Sequence, residues 1–174
     1  MPARIRLAAL AVLVATAPAC AQQEPRWEVR AVPTDAEIRG LSATAGGVAW
    51  ATGRGGVWAT TADGGETWEV GVIPGADSLF LVDVHALDAD RAIVLATHFE
   101  GGLARIYRTD DRGATWGLLY EDDRAGAFYD GLAFWDDERG VAFGDAVDGV
   151  LTIVRTEDGR RWQPAARVPP ALDG

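Results

Sequence analysis

The sequence predicts an all-β protein made of repeated four-stranded sheets, and three observations support that prediction. A turn motif that ends in tryptophan recurs at intervals of 48 and 47 residues. Short β-rich runs precede and enter each copy. The 21 glycines and seven tryptophans suit tight turns between sheets packed face to face. Four strands per period of ~40–50 residues is typical of a propeller blade, so we predict a partial β-propeller of about three four-stranded blades plus one N-terminal strand.

The first residues resemble an export signal. A basic start precedes an apolar run, residues 7–15, that is too short to span a bilayer, and small residues follow it. Cys20, the only cysteine, then allows two interpretations. It is either the lipid-modified first residue of a lipoprotein, or it lies beside an ordinary signal-peptidase site. Both predict an exported protein, periplasmic or at the cell surface, with residues 1–19 as signal peptide and 20–26 as a linker.

The segment from Trp27 to Pro33 resembles residues 68–74, which begin at the last residue of the first turn motif. It therefore predicts the last strand of a blade whose other strands lie elsewhere. We place the propeller at 27–174, with blades at roughly 34–74, 75–121 and 122–169. Because a ring needs ~4–8 blades, we expect a section of a longer ring with two exposed sheet faces. Assembly of several copies into a ring is the less favoured alternative.

The turn motif runs from Thr61 to Trp68 and again from Thr109 to Trp116, whereas a third copy, Thr156 to Trp162, is one residue shorter. In each copy the aspartate is expected to accept hydrogen bonds from turn amides, and the glycine to adopt a backbone shape that other residues resist. The threonine begins the return strand and the tryptophan packs between sheets. These roles are structural, and we assign them to Asp63, Gly65, Thr67, Trp68, Asp111, Gly113, Thr115, Trp116, Asp158 and Trp162.

The other strands follow from β-rich runs bounded by turn residues. Each period holds two such runs ahead of the run that enters the turn motif. The predicted strands are 38–43, 48–52, 57–60, 80–86, 92–97, 106–109, 129–135, 140–144 and 151–156.

The turn motif resembles the BNR or Asp-box repeat of sialidase-like propellers. The sequence outside the motif is similar to one subgroup, the photosystem II stability/assembly factor-like propellers, at residues 39–41, 127–136 and 143–149. Ala146 stands where that subgroup is expected to have proline. The resemblance covers roughly residues 27–170 and implies the propeller fold. It is weak for activity, because this repeat occurs both in enzymes and in non-catalytic scaffolds.

Composition excludes several classes of function. The formal net charge is −10, which argues against binding to nucleic acid or electrostatic docking on anionic lipid. The two histidines, His85 and His98, have no cysteine or paired histidine at metal-ligand spacing. The glycine-rich run 53–56 lacks the residues of a phosphate loop and reads as a hairpin turn. We therefore expect no metal, no cofactor, and contact with a membrane only through a lipid on Cys20.

Five charged residues are candidates to line a binding site. The resemblance to sialidases would make Arg39 a first arginine of a carboxylate-binding cluster, although an inward arginine paired with a neighbouring aspartate explains it better. Asp83 and Asp130 lie on predicted innermost strands. Asp145 and Asp148 flank a loop in the text most specific to the subgroup. Nearby carboxylates can act as acid and base of a glycosidase, or they are turn and cap residues.

Two functions remain open, with a fragment that has no independent function as a third possibility. We favour a non-catalytic envelope scaffold that binds a protein or glycan partner, and the resemblance implies an assembly factor. The alternative is a sialidase-type exo-glycosidase whose catalytic half is missing from this chain. The adjacent Tyr120 and Glu121 argue against it, since neighbours on a strand point to opposite faces.

Overall fold

The computed structural model describes residues 28–168, so the predicted signal peptide, Cys20 and Trp27 lie outside the described residues. Twelve strands form three antiparallel four-stranded sheets, and in each sheet the strands lie side by side in sequence order. The all-β fold with four strands per repeat is thus confirmed. Within residues 28–168 no helix is long and apolar enough to cross a membrane.

The nine strands predicted between residues 38 and 156 are all present, with their ends shifted by at most three residues. The first sheet contains β1 (Ile38–Ala43), β2 (Ala49–Gly53), β3 (Val57–Thr61) and β4 (Glu69–Val72). The second contains β5 (Phe80–Ala86), β6 (Ala92–Thr97), β7 (Ala104–Thr109) and β8 (Gly117–Asp122). The third contains β9 (Tyr129–Phe134), β10 (Gly140–Val147), β11 (Val150–Thr156) and β12 (Trp162–Pro164).

The described part of the predicted N-terminal strand, residues 28–33, forms no strand. A strand exists only as a partner in a hydrogen-bonded ladder, and the fourth strand of a blade pairs with the third strand of the same blade. The described residues offer this segment no such neighbour. It is irregular instead, with Val29 fully exposed and Arg30 Nη2 lying 3.8 Å from Glu66 Oε1 in the first turn motif. The prediction of a strand here is corrected accordingly.

An aromatic cluster fills the boundary between the first and second sheets. Trp50 and Trp58 of the first sheet lie with ring centres 5.7 Å apart, and each is about as close to Trp116 of the second sheet. The Trp50 indole N–H also donates to the Asp88 carbonyl at 2.8 Å. Large buried rings remove much apolar area from water, so this cluster dominates the first boundary.

The boundary between the second and third sheets combines apolar packing with a stacked histidine. Ile93, Leu95 and Ile106 face the third sheet, and the His85 ring stacks on Phe134 with centres 4.1 Å apart. Burial of the imidazole lowers the pKa of His85, so this ring is neutral at pH 7.

A buried polar network, which we call the Asp122 network, lies at the end of β8. The Asp122 side chain is only 3% exposed and accepts hydrogen bonds from Arg124 Nε at 2.9 Å and Nη2 at 2.7 Å. The Tyr129 hydroxyl donates to the same carboxylate at 3.1 Å. The Arg124 guanidinium holds the pKa of Asp122 below its usual range, and burial raises the pKa of Tyr129. The carboxylate is therefore ionised inside the fold because its partners satisfy it.

The pairing register makes positions equivalent among the three sheets. Ala49, Ala92 and Gly140 each begin the second strand and pair with the last residue of the first strand. Counting from them, Trp50 and Ile93 are equivalent. Both point toward the following sheet, so we call this side of each sheet its forward face.

The opposite side, which carries the motif tryptophan, is the backward face. Trp116 of the second sheet packs on the first sheet, and Trp162 of the third sheet packs on the second. Forward and backward faces thus meet at both boundaries. Among the described residues, no other sheet covers the backward face of the first sheet or the forward face of the third.

Candidate functional site

The candidate residues separate to opposite ends of the sheets. β1, β5 and β9 begin at one end, which also carries the hairpins from β2 to β3, β6 to β7 and β10 to β11. We call it the rim end. Arg39, Asp130, Asp145 and Asp148 lie there, whereas the turn motifs occupy the other end.

The first strand of every sheet carries a bulge at the same position. The pairing skips Arg39 in β1, Val82 in β5 and Asp130 in β9. A bulge inserts an unpaired residue and redirects its side chain. One repeated backbone feature therefore presents an arginine in the first sheet and an aspartate in the third.

The residue after each bulge is a contact between neighbouring sheets. Gly40 of β1 lies against Asp83 of β5, because a Cβ atom there would be 3.0 Å from the Asp83 Cα and would overlap Thr52 Oγ1. The Asp83 carboxylate accepts from the Leu132 amide of β9 at 2.8 Å and from its neighbour Val84 at 2.8 Å. Asp83 thus links two sheets, and its oxygens are engaged there.

Replacing Gly40 by alanine is expected to lower the free energy of unfolding by about 1–3 kcal/mol, since the Asp83 backbone cannot move aside without shifting a sheet. Gly117→Ala is the matched control, because its Cβ would have its nearest neighbour at 3.9 Å. That change should leave stability level or raise it by about 0.4–1 kcal/mol. Urea unfolding measures both, and equal effects would contradict the close approach of β1 and β5.

Two aspartates of the third sheet interact at the rim end. Asp145 occupies a bulge in β10, as Asp130 does in β9, and its amide donates to the Phe128 carbonyl at 2.9 Å. Burial raises the pKa of Asp130, the Asp145 carboxylate adds to that rise, and the positive charge of Arg39 opposes it. These three charges, from the first and third sheets, are therefore close enough to interact.

An arginine held by two aromatic rings lies beside these charges, and the sequence did not reveal it. Arg54, in the hairpin between β2 and β3, has its guanidinium carbon 5.4 Å from the ring centre of Phe80 and 5.5 Å from that of Phe99. Arg39 also contacts the Phe80 ring, with its guanidinium carbon 5.9 Å from the ring centre. The Arg54 side chain remains 57% exposed, with Glu37 3.4 Å from Nε. Ring faces attract and orient a guanidinium, so Arg54 is presented in a defined direction.

Two arginines, two aromatic rings and two aspartates lie together at the rim end, and we call them the rim cluster. Its cationic side holds the arginines with their rings, and its acidic side holds the aspartates at the two bulges. The members are Arg39, Arg54, Phe80, Phe99, Asp130 and Asp145.

Asp148 lies at the rim end but in a different role. It has a φ of 54° and Gly149 follows with a φ of 76°, between the paired residues Val147 and Val150. Two successive positive φ values form the two-residue turn typical of tight hairpins, for which Asp-Gly is a favoured sequence. The Asp148 side chain is exposed on this turn.

The turn motifs are held by their aspartates. Asp63 accepts hydrogen bonds from the Thr67 amide at 2.9 Å, the Thr67 hydroxyl at 2.6 Å and the Thr61 hydroxyl at 2.7 Å. Asp111 repeats the pattern, with Thr115 donating from its amide at 2.8 Å and its hydroxyl at 2.6 Å. The hydroxyl and amide of the threonine lower the pKa of each aspartate. These carboxylates are engaged within their own turns.

The shorter third copy closes differently. Asp158 accepts from the amides of Arg160 at 2.9 Å and Arg161 at 2.7 Å, because a turn one residue shorter brings these amides into reach.

The glycines of the first two copies adopt the predicted backbone shape. Gly65 and Gly113 have φ values of 87° and 82°, the left-handed region that favours glycine.

Other chemical groups noted in the sequence lie apart from the rim cluster. The Tyr120 ring lies near Tyr129 at the second boundary, while Glu121 pairs with Arg105 Nε at 2.7 Å. Within residues 28–168 no group of three or more His, Cys, Asp or Glu side chains is arranged to hold a metal ion.

The fold is similar to that of two solved structures of YCF48. YCF48 from Cyanidioschyzon merolae is 19% identical, and the match covers 77% of this chain and 41% of that one, with a TM-score of 0.56. YCF48 bound to a D1 peptide is 20% identical over 76% of this chain and 41% of that one, with a TM-score of 0.57. No family model and no curated protein matches the chain.

The chain spans about two fifths of the length of these YCF48 structures. At this identity the likeness concerns the fold. It confirms the partial propeller and the resemblance to the photosystem II assembly factor-like propellers at the level of architecture. The three sheets are consecutive blades, and β1, β5 and β9 are their innermost strands.

Proposed function

We propose that this protein is a non-catalytic propeller scaffold that binds a protein partner across the rim cluster. The partner segment is an extended peptide that places a carboxylate near Arg54 and a cationic side chain near Asp130 and Asp145. The observation that carries the proposal is the exposed Arg54 guanidinium held between the rings of Phe80 and Phe99.

The charge of the whole protein sharpens this proposal. A formal net charge of −10 repels anions at long range, so a carboxylate is bound only where a cation is held in place. Arg54 is held so, and a guanidinium with free N–H groups matches the geometry of a carboxylate. The acidic side of the rim cluster supplies the opposite charge, which favours a peptide carrying both signs.

One of the similar structures supports a peptide as ligand, because YCF48, a propeller of this fold, was solved bound to a D1 peptide. A glycan is the other partner class for an exposed propeller surface. The proposal includes export to the cell envelope by the N-terminal segment, with Cys20 as the residue that would carry a lipid.

Peptide binding tests the proposal directly. Three fluorescent 12-residue peptides of equal apolar content, one acidic, one basic and one with lysine at its start and glutamate at its end, are titrated by fluorescence anisotropy at two salt concentrations. We expect the peptide with both charges to bind most tightly. Arg54→Ala should weaken it about tenfold, as expected for the loss of a charged hydrogen bond. Arg139→Ala, at the opposite end of the third sheet, is the control.

Two outcomes would count against the scaffold. Binding that follows only the basic peptide and vanishes with salt would reflect the overall negative charge. Hydrolysis of an aryl sialoside, lost in Asp130→Asn, would favour the glycosidase alternative, since a carboxyl with a raised pKa is what a general acid requires.

A further inference from the structure

The two outermost sheet faces expose large apolar side chains. Leu41, which is 68% exposed, and Val70 lie on the backward face of the first sheet. Trp135, which is 73% exposed, and Phe143 lie on the forward face of the third sheet. Contiguous apolar patches on a protein surface mark interaction sites.

The inner boundaries show what covers equivalent positions. Arg108, on the forward face of the second sheet, pairs with Asp110 at 2.7 Å and donates across the boundary to the Gly159 carbonyl at 3.3 Å. Gly159 belongs to the turn motif of the third sheet, and Arg108 is only 7% exposed.

Arg155 is the equivalent of Arg108 on the third sheet. It pairs with Glu157 at 3.0 Å, just as Arg108 pairs with Asp110, but its side chain is 45% exposed. A cleft of about 340 Å³ lies beside it, lined also by Trp135 and Val141. The forward face of the third sheet thus has the arginine that docks a turn motif, with no described residue of another turn motif against it.

The backward face of the first sheet has the matching half. A groove of about 320 Å³ runs past Leu41, Ala43 and Trp68 to the turn residues Gly64 and Gly65, and Arg30 of the N-terminal segment lines its edge. In the second sheet the corresponding tryptophan, Trp116, is covered by the large side chains on the forward face of the first sheet. The equivalent backward face of the second sheet is therefore covered by a forward face.

We propose that the forward face of the third sheet binds the backward face of the first sheet of a second copy of this chain. The contact follows the second boundary, where Arg108 donates to the turn motif of the next sheet. Arg155 donates to the first turn motif of the other copy, and Trp135 covers apolar surface near Trp68. Such a head-to-tail contact is heterologous, so it forms a ring if the rotation closes and an open chain if it does not. The occupant is a second copy because this one chain carries both complementary halves.

Two single-face variants test the contact. Leu41→Glu places a charge on the backward face of the first sheet only, and Trp135→Glu places one on the forward face of the third sheet only. Both positions are exposed, so at a protein concentration where the parent is monomeric the far-UV circular dichroism and the Tm of each variant should match those of the parent. By sedimentation velocity at 100 µM the parent should self-associate, each variant should be a monomer, and an equimolar mixture of the two should form a 1:1 dimer.

Two further variants show whether the contact is specific. Arg155→Ala, made in the Leu41→Glu chain, should weaken the mixed dimer about tenfold, as for loss of a charged hydrogen bond. Leu118→Glu, at an exposed apolar position of the second sheet, should leave self-association unchanged. A monomeric parent would overturn the proposal and point to further blades as the cover. Association of either single-face variant by itself would overturn it as non-specific adhesion.

Discussion

Replacing Trp50 by alanine is expected to lower the free energy of unfolding by about 3–5 kcal/mol, the range for removal of a large buried aromatic ring. Trp50 is fully buried, and its ring contacts both Trp58 of its own sheet and Trp116 of the next. Its indole N–H also satisfies the Asp88 carbonyl, which would lose its partner. The loss should be the largest among the described tryptophans, because Trp50 is the most deeply buried of them and its indole N–H has a hydrogen-bond partner.

Trp135→Ala is the matched control for the Trp50 prediction, since its ring is exposed on the third sheet. It should change the free energy of unfolding by no more than about 0.5 kcal/mol. Urea unfolding, followed by far-UV circular dichroism at a protein concentration where the chain is monomeric, measures both. Comparable losses for the two variants would mean that the first boundary is not the core. Trp50→Phe, which keeps a ring, should lie between.

The fold could be predicted because its signals are local. Asp63 and Thr67 close a turn within one short stretch of chain, and a pattern of that kind can be read directly from the sequence. Repetition of the turn at a constant interval then implies repeated sheets. The same reasoning failed at residues 28–33, where the text of a fourth strand recurs but no third strand lies beside it among the described residues.

The rim cluster was only half predictable for a related reason. Arg39 and Asp130 were identified from their innermost strands, but the bulges that direct them depend on pairing across a hairpin. Arg54 and Phe99 come from hairpins of different sheets, and no sequence spacing relates them. Asp83 shows the opposite case, since its carboxylate bonds to the Leu132 amide of the next sheet. Packing between sheets decides which carboxylates remain free.

Arg124→Ala should strongly destabilise the second boundary. It leaves the Asp122 carboxylate buried, with the Tyr129 hydroxyl as its remaining side-chain partner in the Asp122 network. Breaking a fully buried ion pair costs about 3–5 kcal/mol. Because the Arg124 side chain is 53% exposed, solvent already screens part of the interaction, and we expect a loss of about 2–3 kcal/mol.

Arg139→Ala is the control for this pair. Arg139 binds Asp136 with Nε at 2.8 Å and Nη2 at 2.6 Å, distances close to those between Arg124 and Asp122, but both side chains are exposed. Exposed pairs contribute little, so this variant should unfold at nearly the same urea concentration as the parent. A loss as large as that of Arg124→Ala would show that burial of Asp122 is not the cause.

The pH dependence separates the charge effect of Arg124→Ala from a loss of packing. In the parent, Arg124 holds the pKa of Asp122 below its usual range, so the pair stabilises the fold above the unfolded pKa of about 3.9 and less as pH falls through the folded value. In the variant the buried carboxylate lacks its cation, which favours the protonated form and removes the penalty in acid. The difference in unfolding free energy should therefore be greatest above about pH 5 and shrink below about pH 4. A difference that stays constant with pH would mean that the Arg124 side chain acts through packing alone.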